Sequence, residues 1–339
     1  MTASFDFDTA KLGEYLKQHI DEFNGPLSAE KFSGGQSNPT FLLNTPEQKY
    51  VLRRKPPGKL LPGAHAVDRE FKVLQALSGT DVPVARALHL CNDDEIIGSM
   101  FYVMEYVDGR VLWDPSLPDL SNDQRSAIYQ EMNDTLARLH KVNVDQVGLA
   151  DYGKKDSYFE RQINTWSKQY RAAQTRDNLA MEHLLEWLPG NVPMHEQRYA
   201  IAHGDYRLDN LMFAQDEPRV IAILDWELST VGHPYADLAY QCMQYYMPQD
   251  SGLPGLGGVD LAVLGIPTQQ QYIDSYCQNM NIDNIDNWNF YIAFSLFRLA
   301  SICQGIEKRR LDGNASRDQA RAYAALVEPL ATIAVEQIT

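Results

Sequence analysis

One short segment, residues 203–210 with the sequence HGDYRLDN, constrains the fold of this chain more than any other. It is followed by Asp225, which ends the apolar run 220–224. A carboxylate can orient an attacking hydroxyl, while an amide and a second carboxylate can hold Mg²⁺ against the phosphates of a nucleotide. The order acid, cation, amide and second acid therefore indicates phosphoryl transfer.

The residues around this segment predict a β-hairpin. Residues 211–213 are typical of a short strand, 214–219 of a turn, and 220–224 of a buried return strand. Folding the hairpin brings Asn210, just before the first strand, opposite Asp225, just after the second. Two oxygen ligands then converge, as a hard cation requires.

Asp205 and Arg207 lie in the loop that precedes this hairpin. Asp205 is five residues before Asn210, and Arg207 is two residues after Asp205. A cation at Arg207 can neutralise charge on a transferring phosphoryl group. A polar turn in an ordinary α/β hairpin is the alternative interpretation.

The segment resembles the pattern H-G-D-x-x-x-x-N, followed by an apolar strand ending in Asp, of the aminoglycoside phosphotransferase family. These are small-molecule kinases with the protein-kinase architecture. The resemblance implies ATP as cosubstrate, Asp205 as catalytic base, and Asn210 and Asp225 as ligands of Mg²⁺. Arg207 stands where protein kinases carry a phosphate-contacting Lys. The similarity extends from about residue 32 to residue 240.

A glycine-bearing loop lies near the start of this similarity. It contains Gly34, Gly35, Ser37 and Asn38, and such loops let backbone N–H groups approach phosphates. These four residues are candidate nucleotide contacts. A plain hairpin turn is the alternative.

The strand predicted over residues 49–54 places Val51 and Arg53 on one face. In the kinase pattern V-A-I-K, the Ala touches the adenine and the Lys reaches the phosphates. Val51 and Arg53 fill those positions, and Arg in place of Lys keeps the charge and adds bidentate geometry. Glu70, in a helix predicted over 66–77, is the candidate partner of Arg53; an exposed helix Glu is the alternative.

Two further strands are predicted over 87–91 and 99–106, and residues 104–107, with Glu105 and Tyr106 as candidate contacts, would form the hinge that meets the adenine edge. The resemblance then implies an α+β, bilobal, protein-kinase-like fold. A small antiparallel-sheet lobe over residues 1–107 would bind the nucleotide. A larger, mainly helical lobe over 108–339 would carry catalysis and the substrate site.

Two segments, 52–58 and 68–71, narrow the resemblance to one branch of the family. That branch includes kinase-like domains that are fused to acyl-CoA dehydrogenases in some animals.

The whole-chain composition excludes several classes of protein. Of the 339 residues, 44% are hydrophobic, and the net charge of −15 argues against nucleic-acid binding. No stretch approaches a membrane span, because Arg298 interrupts the nearest one, residues 291–303. The first eight residues carry acids and no apolar run, so we expect no signal peptide. Four widely spaced cysteines fit a reducing cytoplasm rather than a disulfide framework or a zinc site.

Several functions stay open at this point. A protein kinase is disfavoured because residues 226–239 leave no room for a long activation segment. Asp237 is expected to brace the catalytic loop or to cap the following helix. A nucleotide-binding pseudokinase with a regulatory role is the main alternative, because Arg53 replaces the expected Lys. The small-molecule hydroxyl acceptor is either a polycationic aminoglycoside, which needs a carboxylate-lined cleft, or a metabolic alcohol such as a hydroxyacyl thioester, which needs an apolar channel. The choice between ATP and GTP and the oligomeric state are open as well.

Overall fold

The computed structural model describes residues 7–32, 38–56, 65–193, 198–249, 251–313 and 317–339. The chain divides into two compact units. The first comprises residues 1–110, 212–215 and 221–228, and the second comprises 111–211, 216–220 and 229–339. The domain boundary predicted at residue 107 stays a prediction.

The first part of the chain alternates short helices with strands. Its elements are α1 (Thr9–His19), β1 (Ser28–Lys31), β2 (Thr40–Asn44), β3 (Lys49–Arg54), α2 (Val67–Leu77), β4 (Ala87–Cys91), α3 (Asp94–Ile97), β5 (Phe101–Glu105) and β6 (Arg110–Val111). The rest is mainly helical. Its elements are α4 (Asn122–Lys141), α5 (Tyr158–Ala173), α6 (Leu179–Gly190), β7 (Ala200–Ala202), β8 (Leu211–Phe213), β9 (Val220–Ile223), β10 (Thr230–Gly232), α7 (Pro234–Cys242), α8 (Leu261–Leu264), α9 (Gln269–Met280), α10 (Trp288–Leu311), α11 (Arg317–Ala325) and α12 (Val327–Glu336).

The first unit is organised around an antiparallel sheet of five strands in the order β1-β2-β3-β5-β4. Since β3 pairs with both β2 and β5, it lies inside the sheet, and Tyr50, Val51 and Leu52 are all buried. The burial along β3 is therefore continuous, whereas the sequence suggested simple alternation. When both faces of a strand are covered, successive residues are buried whichever face their side chains point to.

The predicted hairpin is present. β8 and β9 are neighbours in a three-stranded sheet of order β6-β8-β9, and their bounds agree with the predicted strands to within one residue. The amide of Ile223 also donates to the carbonyl of Pro83, 2.9 Å away, which fixes the end of β9 inside the first unit.

The second unit is built mainly from helices. α4 begins at a capping box in which Ser121 and Gln124 satisfy each other's backbone amides. α10 has 24 residues, and most of the side chains between Phe290 and Gln304 are buried. The helix predicted over 66–77 is confirmed to within one residue at each end. In the described part of the chain, no helix combines the length and the apolar character needed to cross a membrane.

Candidate active site

The loop 203–210 lies in the second unit, directly after β7. Gly204 has a φ of 83°, a backbone conformation that an L-residue adopts only with strain. Leu208–Asn210 then form a single turn of 3-10 helix that leads into β8. The glycine of the HGD motif thus supplies the turn that the loop requires.

Asp237 holds the beginning of this loop. Its carboxylate accepts hydrogen bonds from the amide of His203 at 2.6 Å and from the amide of Gly204 at 2.8 Å. The His140 Nε2 lies 3.3 Å from the same carboxylate, and the His140 Nδ1 lies 2.7 Å from the Tyr276 hydroxyl. Of the two roles expected for Asp237, bracing the loop is the one observed.

The pKa of Asp237 follows from these contacts. Burial alone would raise the pKa of the Asp237 carboxylate. The hydrogen bond and the charge of His140 lower it, and so do the charge of His203 and the hydrogen bond from the Gly204 amide. These lowering effects outweigh burial, so the pKa of Asp237 lies below its ordinary value. The side chain is fully buried. Asp237 therefore stays ionised inside the second unit at neutral pH.

Two further contacts fix the loop backbone. The Arg298 guanidinium donates to the carbonyl of Gly204 and lies about 5 Å from the ring centroids of Trp166 and Tyr240. The Tyr206 hydroxyl donates to the carbonyl of Met132 in α4, 2.8 Å away. Because these partners are themselves buried, the loop has little freedom to rearrange.

Asp205 is oriented by Asn210. The Asn210 Nδ2 donates to the backbone carbonyl of Asp205 at 2.8 Å and to its carboxylate oxygen Oδ2 at 2.9 Å. The Tyr240 side chain is close enough to the Asp205 carboxylate for that charge to act on its pKa. Burial raises the pKa of Tyr240 well above its ordinary value, and the neighbouring Asp205 adds to the shift, so Tyr240 stays a neutral donor.

Arg207 is paired with two carboxylates of the same loop. Its Nη2 lies 2.5 Å from Asp209 Oδ2, and its Nε lies 3.6 Å from Asp205 Oδ1. Burial lowers the pKa of a guanidinium, yet the charges of Asp205 and Asp209 outweigh this and hold the pKa of Arg207 above its ordinary value. A permanent cation therefore stands beside Asp205.

The first unit holds a second cluster of charges, centred on Arg53. The Arg53 Nη2 donates to Asp225 Oδ1 at 2.7 Å and lies 3.8 Å from Glu227 Oε2. Its Nε lies 3.0 Å from Glu70 Oε2. The predicted pairing of Arg53 with Glu70 is present, so Glu70 is not an exposed helix residue.

Glu70 is buried and held from three sides. Besides Arg53, the Asn38 Nδ2 donates to Glu70 Oε1 at 2.9 Å and the Tyr102 hydroxyl donates to Glu70 Oε2 at 3.0 Å. Burial raises the pKa of Glu70 to about 7, because desolvation of the carboxylate exceeds the attraction of Arg53. Asn38, predicted from the glycine-bearing loop, contacts Glu70 in this structure.

Asp225 has a φ of 60°, which is uncommon for a residue other than glycine. Strained backbone of this kind clusters at functional sites. In the described residues, no group of three or more His, Cys, Asp or Glu side chains is placed to hold a metal. Mg²⁺ usually takes one or two oxygen ligands of the protein together with substrate phosphates; Asp225 is a carboxylate of the first unit and Asn210 an amide of the second, and each is a ligand type that Mg²⁺ accepts. Since the Asn210 Nδ2 donates to Asp205, the oxygen Oδ1 is the atom of this amide that could face a cation.

The remaining predicted contacts lie in or near the five-stranded sheet. Val51 is buried in β3, and Glu105 ends β5, where its carboxylate accepts from the amide of Arg86 at 2.9 Å. Tyr106, half-buried, follows β5 and stacks with Lys49. Three predicted contacts, Gly34, Gly35 and Ser37, lie outside the described residues.

Sequence reasoning missed three side chains that complete these clusters: Tyr102, Tyr240 and Arg298. Each lies far along the chain from its partner, so no local pattern signals it. Only Arg298 carried a sequence signal, as a charge inside the apolar run 291–303. A buried charge in such a run indicates a specific partner, and that partner is the carbonyl of Gly204.

Residues 28–262 match the model of a known family, which is described as phosphotransferase enzyme family. Acyl-CoA dehydrogenase family member 10 of Mus musculus is 48% identical over 327 residues, covering 95% of this chain and 30% of the relative. Family member 11 of Homo sapiens is 44% identical over 330 residues, covering 96% of this chain and 42% of the relative. The chain thus spans less than half the length of these relatives.

Among solved structures, a putative aminoglycoside phosphotransferase from Ralstonia eutropha JMP134 is 49% identical, with a TM-score of 0.90 and 98% of each chain covered. Choline kinase from Cryptosporidium parvum Iowa II has a TM-score of 0.67 at 14% identity, covering 98% of this chain and 96% of the kinase. Spectinomycin phosphotransferase, solved with ADP and spectinomycin, has a TM-score of 0.63 at 14% identity, covering 98% and 99%. The predicted α+β, kinase-like fold class is confirmed.

Proposed function

The chain belongs to the phosphotransferase enzyme family, and we propose that it moves the γ-phosphoryl group of ATP to a hydroxyl of a small molecule, with Asp205 as the base. Membership confirms the resemblance inferred from the HGD motif. The similarity to acyl-CoA dehydrogenase family members 10 and 11 confirms the branch as well.

The observation that carries the proposal is the fixation of Asp205. One amide, that of Asn210, binds both the backbone and the carboxylate of Asp205, and the Arg207 guanidinium lies beside the same carboxylate. A general base is effective when its orientation is set before the substrate arrives. A polar turn without function has no need for this arrangement.

The proposed reaction is an in-line displacement. The Asp205 carboxylate orients the acceptor hydroxyl and takes its proton as the hydroxyl oxygen bonds to the γ-phosphorus. The bond between that phosphorus and the oxygen of the β-phosphate breaks, and ADP leaves with the electron pair. Arg207, held beside Asp205, offers positive charge to the transferring group.

The other assigned residues hold the nucleotide. We propose that Asn210 and Asp225 bind Mg²⁺, which, when bound, neutralises phosphate charge. Arg53, positioned by Glu70, reaches the phosphates, while Val51 and the hinge residues Glu105 and Tyr106 face the adenine. Asn38 supports Glu70 through its amide.

The acceptor is proposed to be a small molecule because the neighbouring enzymes phosphorylate or bind small molecules, as their names state: choline kinase and spectinomycin phosphotransferase. The net charge of −15 disfavours nucleic acid as a partner. Four buried free thiols support a reducing compartment such as the cytoplasm.

One observation favours a pseudokinase as the second candidate. The Arg53 guanidinium binds Asp225 Oδ1 directly, so an oxygen assigned to Mg²⁺ is occupied by a cation of the chain. If that ion pair persisted with nucleotide present, the chain would bind nucleotide and transfer nothing.

A turnover screen separates the two candidates. The purified chain is incubated with Mg-ATP and aminoglycosides, sugars, amino alcohols or hydroxyacyl-CoA compounds, and ADP release is followed by a coupled assay. We expect one small-molecule class to stimulate ADP release and to acquire a phosphate ester visible by ³¹P NMR. Nucleotide binding with no stimulated turnover would favour the pseudokinase, and robust phosphorylation of a protein substrate alone would overturn the proposal.

A further inference from the structure

A cavity within the second unit lies at the start of β7. Its described lining comes from the start of α5, the end of α6, the residues before β7 and the helices α7 and α10. Tyr199 directly precedes β7, whereas the loop 203–210 follows it, so the three residues of β7 separate the cavity from that loop by about 10 Å. The cavity volume is about 470 Å³. Ligand pockets span roughly 300–1,000 Å³, so this cavity is large enough for a small molecule.

Aromatic rings form the inner wall of this cavity. Phe159, His233 and Tyr291 line it and are all buried. The ring centroid of Phe159 lies 5.1 Å from that of His233 and 5.3 Å from that of Tyr291, and the rings of His233 and Tyr291 stack at 5.7 Å. Because each ring is held by the other two, the wall is formed before a ligand arrives. A flat aromatic body packs well on such a wall.

The rim of the cavity carries two cations that differ in their pairing. The Lys155 Nζ lies 2.7 Å from Asp145 Oδ1 and 4.7 Å from the centroid of the Tyr199 ring. Arg198 is exposed, and its guanidinium lies 5.6 Å from the centroid of the Tyr235 ring. Among the residues that the structure describes, no carboxylate forms an ion pair with Arg198. Arg198 therefore keeps its charge and its forked donors available for an anion.

The start of α5 adds positive potential to the same cavity. Ser157, the residue before the helix, makes no side-chain hydrogen bond to the first turn. The amides of that turn therefore lack a side-chain cap, and residues 157–160 all line the cavity. The dipole of the helix favours negative charge at this end.

Two carboxylates of the rim act in the opposite sense. The Asp156 side chain is 86% exposed and lies 3.5 Å from Arg161 Nη1, and Glu160 is exposed as well. Solvent and salt screen the charge of such exposed groups. A cationic ligand would meet Arg198 and Lys155, and the described lining holds no buried carboxylate to receive it. The balance of charge therefore favours an anion.

We propose that this cavity binds a planar aromatic anion of the aromatic carboxylate class. The ring of the ligand packs on Phe159 and Tyr291, and its carboxylate accepts hydrogen bonds from the Arg198 guanidinium. No residue of this site takes part in the proposed phosphotransfer, so binding requires neither nucleotide nor acceptor.

The first test compares ligands that differ in charge. The probes 2-naphthoate, 2-naphthalenemethanol and 2-naphthylmethylammonium are titrated into the chain by calorimetry, with decahydro-2-naphthoate as the non-aromatic anion. We expect 2-naphthoate to bind about tenfold tighter than the alcohol and the ammonium compound, because only the carboxylate gains the hydrogen bonds of Arg198. It should also bind about threefold tighter than the saturated anion. Equal affinities for the three charges, or no saturable binding of 2-naphthoate, would overturn the proposal.

The second test places the binding in the cavity. Arg198→Gln should weaken 2-naphthoate binding by about tenfold and leave the affinity for 2-naphthalenemethanol within about twofold. Glu160→Gln should instead tighten 2-naphthoate binding by about twofold, because it removes a like charge. Both residues are exposed, so both variants should fold. Arg219→Gln, at an exposed arginine of the second unit outside the cavity, is the matched control. Equal effects of Arg198→Gln and Arg219→Gln would refute the site.

Saturating Mg-ATP separates this inference from the proposed function. An aromatic acid can also enter an adenine site, so the 2-naphthoate titration is repeated with Mg-ATP present. We expect the affinity to stay within about twofold, and displacement of 2-naphthoate by Mg-ATP would contradict the cavity as its site. Binding that depends on Arg198, in a chain that releases no ADP with any acceptor, would leave this site standing and contradict phosphotransfer. Acceptor-stimulated ADP release without 2-naphthoate binding would leave phosphotransfer standing and contradict this site.

Discussion

Arg53 is the residue at which this chain departs from the kinase pattern, and its contacts give the departure a physical meaning. A lysine offers one charge point, whereas the Arg53 guanidinium reaches Glu70 through Nε and Asp225 through Nη2. Burial lowers the pKa of Arg53, but the charges of these two carboxylates raise it by more, so the pKa lies above its ordinary value. Arg53 is thus a fixed cation that links the helix α2 to Asp225.

The first prediction follows from this linkage. Arg53→Lys should keep part of the activity, because it retains the positive charge but loses the bidentate geometry of the guanidinium. Arg53→Ala loses the charge as well, and its kcat/KM should fall by about 10²-fold or more. Arg53→Ala also leaves Glu70 buried and unpaired, so we expect about 3 kcal/mol less free energy of unfolding at neutral pH.

The pH dependence of that stability loss has a definite sign. The folded-state pKa of Glu70 is already raised, and removal of Arg53 raises it further, so the buried carboxyl is favoured when protonated. Both proteins share the unfolded pKa of about 4.3, so the part of the loss that comes from the unpaired carboxylate is constant below the parent's folded-state pKa of about 7 and grows as the pH rises through it. Urea unfolding of both proteins between pH 5 and 8 checks this, with the exposed Arg219→Ala as control. An alanine variant with unchanged kinetics and stability would assign Arg53 to the solvated surface.

The second prediction concerns Asp225. Asp225→Ala should weaken Mg²⁺-dependent nucleotide binding by about tenfold or more, because a hard oxygen ligand is removed. Calorimetric titration of ATP with and without Mg²⁺ measures the effect, and Asp216→Ala in the exposed hairpin turn is the matched control. A variant that binds Mg-ATP as tightly as the parent would show that the ligand assignment is wrong.

At the scale of elements, the loop 203–210 is held by residues from α4, α7 and α10. Asp237 in α7 accepts hydrogen bonds from two consecutive backbone amides at the start of the loop. Arg298 in α10 donates to the carbonyl of Gly204, and the Tyr206 hydroxyl donates to a carbonyl of α4. The conformation of the loop is therefore determined by its contacts with the surrounding helices rather than by the loop residues alone.

The third prediction tests this dependence. Asp237→Asn should lower the free energy of unfolding by about 2–4 kcal/mol at pH 7, because the buried amides of His203 and Gly204 lose a charged acceptor. Since the folded pKa of Asp237 is lowered, its contribution is present above the unfolded pKa of about 3.9 and is lost as the pH falls through the folded pKa. The difference in free energy of unfolding between variant and parent, measured with urea, should therefore disappear at acid pH. A difference that widens below pH 4 would contradict the sign.

Local patterns predicted the elements well because periodicity and turn residues are local. The hairpin strands β8 and β9 and the helix α2 all follow from residues within them. The continuous burial of β3 was missed because it depends on two neighbouring strands and a cover on both faces. The loop anchor at Arg298 was missed because it lies 94 residues from its partner. The sequence indicated the candidate reacting groups, and the fold supplies the contacts that hold them.

At the scale of the whole molecule, the four cysteines report on how tightly the chain is packed. Cys91, Cys242, Cys277 and Cys303 are all buried and free. Burial raises the pKa of Cys303 to about 12, and it raises the pKa of Cys242 and Cys277 above the ordinary value. A thiol in this state is a poor nucleophile near neutral pH.

The fourth prediction is that these thiols are protected in the native state. Ellman's reagent at pH 7.5 should label few of the four thiols in buffer and all of them in denaturant, because reaction requires opening of the core. Complete labelling within minutes in buffer would contradict the packing described for both units.

The decisive experiment on the assignment of the base compares Asp205→Asn with the parent. The acceptor found in the turnover screen is used to measure kcat, and calorimetry measures Mg-ATP affinity, with Asp216→Asn as control. We expect kcat to fall by roughly 10²–10⁴-fold, while Mg-ATP affinity stays within about threefold, because Asp205 acts on the acceptor and other residues hold the nucleotide. An Asp205→Asn variant that keeps the turnover of the parent would contradict the assignment of Asp205 as the base.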